Sequence, residues 1–244
     1  MKTGIITGTG KGIGLSALKL LLKNKYKIIS ITKTKNNAIE TLLKKKNFIK
    51  NIYHSLGEDL SSDKKLIKEI CKKHKIDFLV CNAGVRHRDS LDKMNLKKRS
   101  YTLDVNYHSN VILVEELLKF FNKKKSPISV VCISSIVGNF GFKDLSSYGS
   151  SKMALEGFLK NVAVEYAKKN VRINVIAPGF IKSSYYNNFI KNQKNLNKWI
   201  LERTPMGRWG KPEEVANVIE FLISEKSSYI TGSTIYVDGG WSIS

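Results

Sequence analysis

The chain has 244 residues, 42% of them hydrophobic and 25% charged, proportions that exclude intrinsic disorder and fit one large α/β domain. Its 42 lysines and arginines against 20 acidic residues give a formal charge of +22, a field that would draw anionic partners. No basic helix with interleaved aromatics, zinc-ligand spacing or RNA-binding signature accompanies that charge, so no specific nucleic-acid partner is expected and the lysines read as a biased, solvated surface.

In chain order, Gly4 to Thr7 predicts a strand, Ile13 to Leu22 an amphipathic helix and Lys27 to Thr32 a second strand, together a βαβ unit. Further strands are predicted at Ile49 to Tyr53, Phe78 to Cys81, Ser129 to Ser134, Arg172 to Ala177 and Thr234 to Val237. Helices are predicted over Lys64 to Lys73, Met94 to Phe121, Ser151 to Lys169 and Pro212 to Ile223. Strands apolar on both faces and separated by helices imply a doubly wound parallel sheet of about seven strands with helices on both faces, a single α/β domain over 1–244. The Asn- and Lys-rich stretch 183–198 is the least regular interior segment and is expected to be a mobile loop or short helical lid, a substrate flap. Cys71, Cys81 and Cys132 show no CxxC spacing, so neither a disulfide framework nor a metal site is expected. No signal-peptide layout and no apolar run of about 18 residues occurs, so a cytoplasmic protein with no membrane association is expected.

Thr7-Gly8-Thr9-Gly10-Lys11-Gly12-Ile13-Gly14 follows the first strand and opens the first helix. Glycines there let the backbone turn sharply and approach a ligand, and a helix N-terminus offers N–H groups to a pyrophosphate. Asn82-Ala83-Gly84 follows the strand ending at Cys81, again at a carboxyl end where parallel sheets bind ligands. Tyr148 and Lys152 lie four apart, so they share one helix face. A phenol titrating near 10 works as an acid/base at neutral pH only with about 4 kcal/mol of help, which a lysine, a helix N-terminus and a bound nicotinamide cation can supply together. Ser135, at the end of the strand Ser129 to Ser134, can hydrogen-bond a substrate oxygen beside that tyrosine.

These motifs, in this order, are similar to those of the short-chain dehydrogenase/reductase family over essentially the whole length. The resemblance implies a Rossmann-type fold and a catalytic set of Asn106, Ser135, Tyr148 and Lys152. In it Tyr148 transfers the proton, Ser135 holds the reacting oxygen, Lys152 binds the nicotinamide ribose and tunes Tyr148, and Asn106 positions a water. It also implies cofactor contacts from Thr7, Gly8, Gly10, Lys11, Gly12, Ile13, Gly14, Asp59, Leu60, Asn82, Ala83, Gly84, Pro178, Gly179, Ile181 and Ser183. Asp59 stands where relatives have an acid on the adenine, with helix capping as the alternative. Cys81 replaces a common asparagine, His87 beside Arg86 and Arg88 reads as a surface histidine with the substrate mouth as the alternative, and Trp241 suits either a subunit boundary or simple burial.

After the second strand the first acid is Glu40, so the carboxylate that would grip an adenosine ribose is missing. Thr32, Lys33, Lys35 and Lys11 favour a 2'-phosphate instead, so NADP(H) is expected to be preferred, with NAD(H) possible. Pro205 to Glu214 and Tyr229 to Gly232 are similar to those of 3-oxoacyl-[acyl-carrier-protein] reductases, which implies an acyl-carrier-bound or small-molecule carbonyl substrate. Lys124, Lys125 and Lys169 lie where an acidic carrier could dock. The alternatives are a dehydrogenase of a small alcohol, polyol or sugar-related substrate, and a non-catalytic binding protein. Family likeness further implies a homotetramer built on the two long helices.

Overall fold

A computed structural model describes residues 1–124, 127–182 and 186–244. Seven strands form one parallel sheet in the order β3-β2-β1-β4-β5-β6-β7. They are β1 (Thr3–Thr7), β2 (Lys27–Thr32), β3 (Phe48–Tyr53), β4 (Phe78–Cys81), β5 (Ile128–Ile133), β6 (Val171–Pro178) and β7 (Thr234–Val237). Alternation along each strand feeds two cores. Ile5, Ile29, Leu79 and Val130 meet α3 (Leu60–Lys73), α5 (Ser109–Lys124) and α7 (Ser146–Tyr166) on one face. Ile6, Ile28, Val80 and Val131 meet α1 (Gly12–Lys23), α2 (Asn37–Leu43) and α10 (Pro212–Ile223) on the other.

The expected helix over Met94 to Phe121 starts at α4 (Leu96–Leu103), capped by Asn95, and runs through a π-helical turn at Asp104–His108 into α5. The helix expected from Ser151 begins five residues earlier, so Tyr148 already lies in the first turn of α7; beyond Tyr166 the chain tightens into a 3-10 turn. The stretch 183–198 is helical where described: α8 (Tyr186–Asn192) and the start of α9 (Lys194–Arg203). Short α6 (Ile136–Asn139) follows β5. Chain order reverses between β1 and β4, so the loops after these strands flank one crevice, the place where such sheets hold a ligand. No helix among the described residues is long and apolar enough to cross a membrane.

Candidate active site

The glycine loop is pinned to the loop after β4. Thr7 Oγ1 accepts hydrogen bonds from the backbone of Asn82 (3.0 Å) and Ala83 (2.9 Å), and Asn82 Nδ2 donates to the carbonyls of Thr7 (3.1 Å) and Gly8 (3.0 Å). A Cβ on Gly8 would lie 2.8 Å from Ala83 Cα, and one on Gly14 2.3 Å from the Gly8 carbonyl oxygen. Both glycines are required by this close approach. Gly12 has φ +54°, and a Cβ there would meet nothing within 4 Å: its turn faces open space. No side chain caps the first turn of α1, Lys11 occupying the cap position, and Ile13 packs down onto the core. A helix N-terminus of this kind, behind a glycine turn, fits a dinucleotide pyrophosphate. Gly10 sits over Thr32, with its Cβ position 3.1 Å from Thr32 Oγ1. Asn36, which the sequence reading missed, donates to the Gly10 carbonyl at 2.5 Å while capping α2 through Ala38 N–H at 2.7 Å.

Catalytic chemistry converges at the end of β5. Ser135 caps α6, accepting from Val137 N–H at 3.2 Å, and is hydrogen-bonded to the Tyr148 phenol. Burial pushes the Tyr148 hydroxyl above its usual range, with Ser135 and the Arg86 guanidinium acting the other way. Lys152 is 3% exposed; its Nζ donates to the Ile133 carbonyl at 2.8 Å and lies 5.8 Å from the Tyr148 ring centroid. Burial lowers its pKa to about 8, against the opposing influence of Cys132, Cys81 and Glu156. Asn106 sits in the π-helical turn. Its side chain clamps Val85, accepting from that N–H at 2.8 Å and donating to that carbonyl at 2.9 Å, and also reaches Ser151 Oγ at 3.0 Å. A Cβ on Gly84 would lie 3.1 Å from Asn106 Oδ1 and 3.5 Å from Lys152 Nζ, so the four elements meet at one end of the crevice.

Around the rim, some expected contacts have other work. Asp59 caps α3, accepting from Ser61 N–H (2.9 Å) and Oγ (2.7 Å), with half-buried Leu60 opening that helix. This is the helix-capping role. Lys33 is engaged by the Glu58 carboxylate at 2.7 Å and by Tyr101, so it is not an unopposed charge. Neither partner is singled out by the sequence, because Glu58 arrives from the loop before α3 and Tyr101 from α4, both distant along the chain. Pro178 ends β6; Gly179 N–H donates to Val237 O at 3.1 Å and its Cβ position is 2.7 Å from Asp238 Cβ. Ile181 bridges Gly210. Ser183 and Lys125 lie outside the described residues.

Beyond the catalytic groups stands an aromatic wall. Phe142 stacks on Trp241 (5.1 Å), and Phe180 sets its edge against Phe142, Trp241 and Trp209. Tyr186 of α8 touches Trp209 (5.1 Å), and Trp199 of α9 touches Trp241 (6.2 Å). Trp241 is 2% exposed, buried within its own chain. His87 is half-buried and bonds Thr102 Oγ1 at 2.9 Å rather than standing free on the surface. Cys81 is buried beside Cys132, its hydrogen bond to Cys132 and its burial pushing the thiol well up, as for a packing residue.

A doubly wound sheet with a glycine loop at its reversal point, and a serine, tyrosine and lysine gathered beyond it, defines a nicotinamide-dependent oxidoreductase. The chain belongs to the short-chain dehydrogenase/reductase family, and residues 8–242 match the family model described as enoyl-(acyl carrier protein) reductase. It is 36% identical to 3-oxoacyl-[acyl-carrier-protein] reductase of Buchnera aphidicola subsp. Schizaphis graminum, over 98% of this chain and 96% of the relative. The enzyme of the same name from Rickettsia felis is 34% identical at the same coverage. Among solved structures, a 4-hydroxyisoleucine dehydrogenase complexed with NADH superposes with a TM-score of 0.94 at 28% identity, with both chains fully covered. A Beutenbergia cavernae protein described as an NAD(P)-dependent gluconate 5-dehydrogenase, with NADP bound at low occupancy, gives 0.93 at 25%, covering 100% of this chain and 97% of the other.

Proposed function

We propose that the protein reduces a 3-oxoacyl group carried on acyl carrier protein to the secondary alcohol, using NADPH. The observation that carries this reading is the pairing of Ser135 with a Tyr148 phenol that holds its proton, since carbonyl reduction needs a proton donor at the nascent alkoxide. When bound, the nicotinamide supplies the hydride. Ser135 orients the substrate oxygen toward Tyr148, Tyr148 delivers the proton, and Lys152, drawn out of water beside it, holds the ribose. Asn106 keeps the loop carrying Gly84 closed against Lys152. The cofactor would rest on Thr7 to Gly14 and on Asn82 to Gly84, with Ile181 and Ser183 at the carboxamide. Thr32, Lys33 and Lys11 face the 2'-phosphate in this reading; the carboxylate missing from the end of β2 supports NADP(H), while Glu58 opposes part of the charge on Lys33.

Long relatives of one name over nearly the whole chain favour the acyl-carrier substrate. The solved structures favour a second reading, a small alcohol or sugar-related dehydrogenase, because the neighbours include a 4-hydroxyisoleucine dehydrogenase and a protein described as a gluconate 5-dehydrogenase. We place the enzyme in the cytoplasm as a homotetramer. Val164 is 81% exposed and Met153 41% on α7, apolar side chains that a partner copy would cover. Following NADPH absorbance against short 3-oxoacyl thioesters, diketones and keto sugars, with NADH in parallel, tests the substrate and the cofactor. Turnover of the thioesters with a higher kcat/KM for NADPH is expected. Turnover of keto sugars alone would overturn the substrate, and equal efficiency with NADH the cofactor.

A further inference from the structure

Three consecutive residues at the end of β5 each hold a different side chain of one face of α7. Ile133 O receives Lys152, Ser134 Oγ donates to Glu156 Oε1 at 2.5 Å, and Ser135 meets Tyr148. Tyr148, Lys152 and Glu156 are successive i, i+4 positions, so Glu156 continues the catalytic face by one turn. The sequence motif stops at Lys152; the face does not. Glu156 is fully buried. It accepts from Ser134, from Asn139 Nδ2 on both oxygens (3.3 Å each) and from Thr234 Oγ1 (3.1 Å). No cation lies within 4 Å of it among the described residues, and Lys152, one turn earlier on the same face, is a buried amine whose charged form Cys132, Cys81 and then Glu156 favour. Keeping a carboxylate in the core on neutral donors is costly. A glutamine could satisfy the same neighbours once the serine and threonine hydroxyls turned, so hydrogen bonding alone does not explain a charge here.

We propose that Glu156 is a positioning residue of the reaction: its carboxylate fixes the end of β5 that carries Ser135 and serves as the counter-charge of Lys152. This rests on the reductase reading above. It accounts for the way α6 sits on α7, where a Cβ on Gly138 would lie 3.4 Å from Glu156 Oε1. Asn139, at the far end of the helix that Ser135 caps, is tied to the same carboxylate as Ser134. Both ends of the segment bearing the catalytic serine are thereby fastened to one group.

The test compares Glu156→Gln, Glu156→Asp and Ser134→Ala with the unmutated full chain. Readouts are an NMR pH titration of the Lys152 ε-methylene group without cofactor, NADPH binding by fluorescence, kcat and KM against pH, and Tm. In Glu156→Gln the lysine midpoint should fall, and the alkaline limb of kcat should move to lower pH with it; Glu156→Asp should restore the midpoint. Ser134→Ala should lower kcat about tenfold through looser orientation of Ser135, with KM and the lysine midpoint nearly unchanged. A residue that only supported the fold would change Tm and leave the pH profile in place. An unmoved lysine midpoint in Glu156→Gln, or unchanged kcat in both Glu156→Gln and Ser134→Ala, overturns the proposal. If Glu156→Gln does not fold, Ser134→Ala and Glu156→Asp decide it, and full kcat in both overturns it. The lysine titration needs no turnover, so an unmutated protein that reduces no carbonyl would sink the reductase reading separately.

Discussion

Tyr148 and Lys152 are shifted in opposite senses by the same cause. Burial disfavours the charged form of each, so the phenol titrates higher than usual and the ammonium lower, at about 8. Tyr148→Phe removes the proton donor while leaving the glycine loop untouched. Reductive turnover should fall about 10²- to 10⁴-fold with NADPH affinity nearly intact, as steady-state rates and cofactor fluorescence would measure. Lys152 costs stability for the same reason that it is useful. A fall from 10.5 to about 8 corresponds to about 3 kcal/mol of penalty below pH 8, so Lys152→Met should be inactive yet more stable by up to that amount in urea unfolding at pH 7. Less gain is expected to the extent that the Ile133 carbonyl loses its donor. Of this cluster, Ser135, Tyr148 and Lys152 were legible because a strand end and a helical spacing bring them together. Glu156 was not, since a glutamate one turn further along a helix reads as solvated surface until the packing of α6 is known.

Among elements, the turn from α1 to β2 carries a correctable defect. Tyr26 N–H bonds Leu21 O (3.0 Å) and Lys25 N–H bonds Leu22 O (3.3 Å), with Lys25 at φ +64° in the left-handed position that favours glycine. Lys25→Gly should therefore stabilise the chain by about 1 kcal/mol, measured as a higher urea midpoint at unchanged slope. At the opposite end of β2 the Lys33–Glu58 pair spans the crevice rim. Both groups are more than half exposed, so their coupling is weak. Glu58→Gln should raise the ratio of kcat/KM for NADPH over NADH, and an unchanged ratio would remove Lys33 from cofactor recognition. All seven strands could be read in order because each is a short run rich in β-branched or aromatic residues set between helices. Two short helices, α2 and α6, could not: they have seven and four residues, and tertiary contacts rather than periodicity hold them, whereas α8 and the start of α9 fall in the stretch read as a loop or short helical lid.

For the whole molecule, stability should depend on pH through Lys152. Between about 8 and 10.5 the unfolded chain binds the proton that the folded one has released, so this group's contribution to unfolding free energy rises with pH across that window. Chemical denaturation at pH 7.5, 9 and 10 should show the rise, and Lys152→Met should lack it. Assembly is testable in the same preparations. Sedimentation at micromolar concentration should give a tetramer, and Val164→Glu should weaken it by placing a charge on the uncovered apolar strip of α7. Parallel topology and the crevice at its reversal point followed from residue patterns spread along the chain; the partners of Lys33, Gly10 and Lys152 did not, because residues far apart in sequence supply them. One further property follows from the aromatic wall. All three tryptophans of the chain, Trp199, Trp209 and Trp241, stand in it and nowhere else. The protein's ultraviolet emission is thus a built-in optical probe of a single place, and reduced nicotinamide absorbs in the range where tryptophan emits. Quenching with energy transfer, recorded without any label, should follow each arrival of cofactor and each movement of α8 and α9 against Trp241.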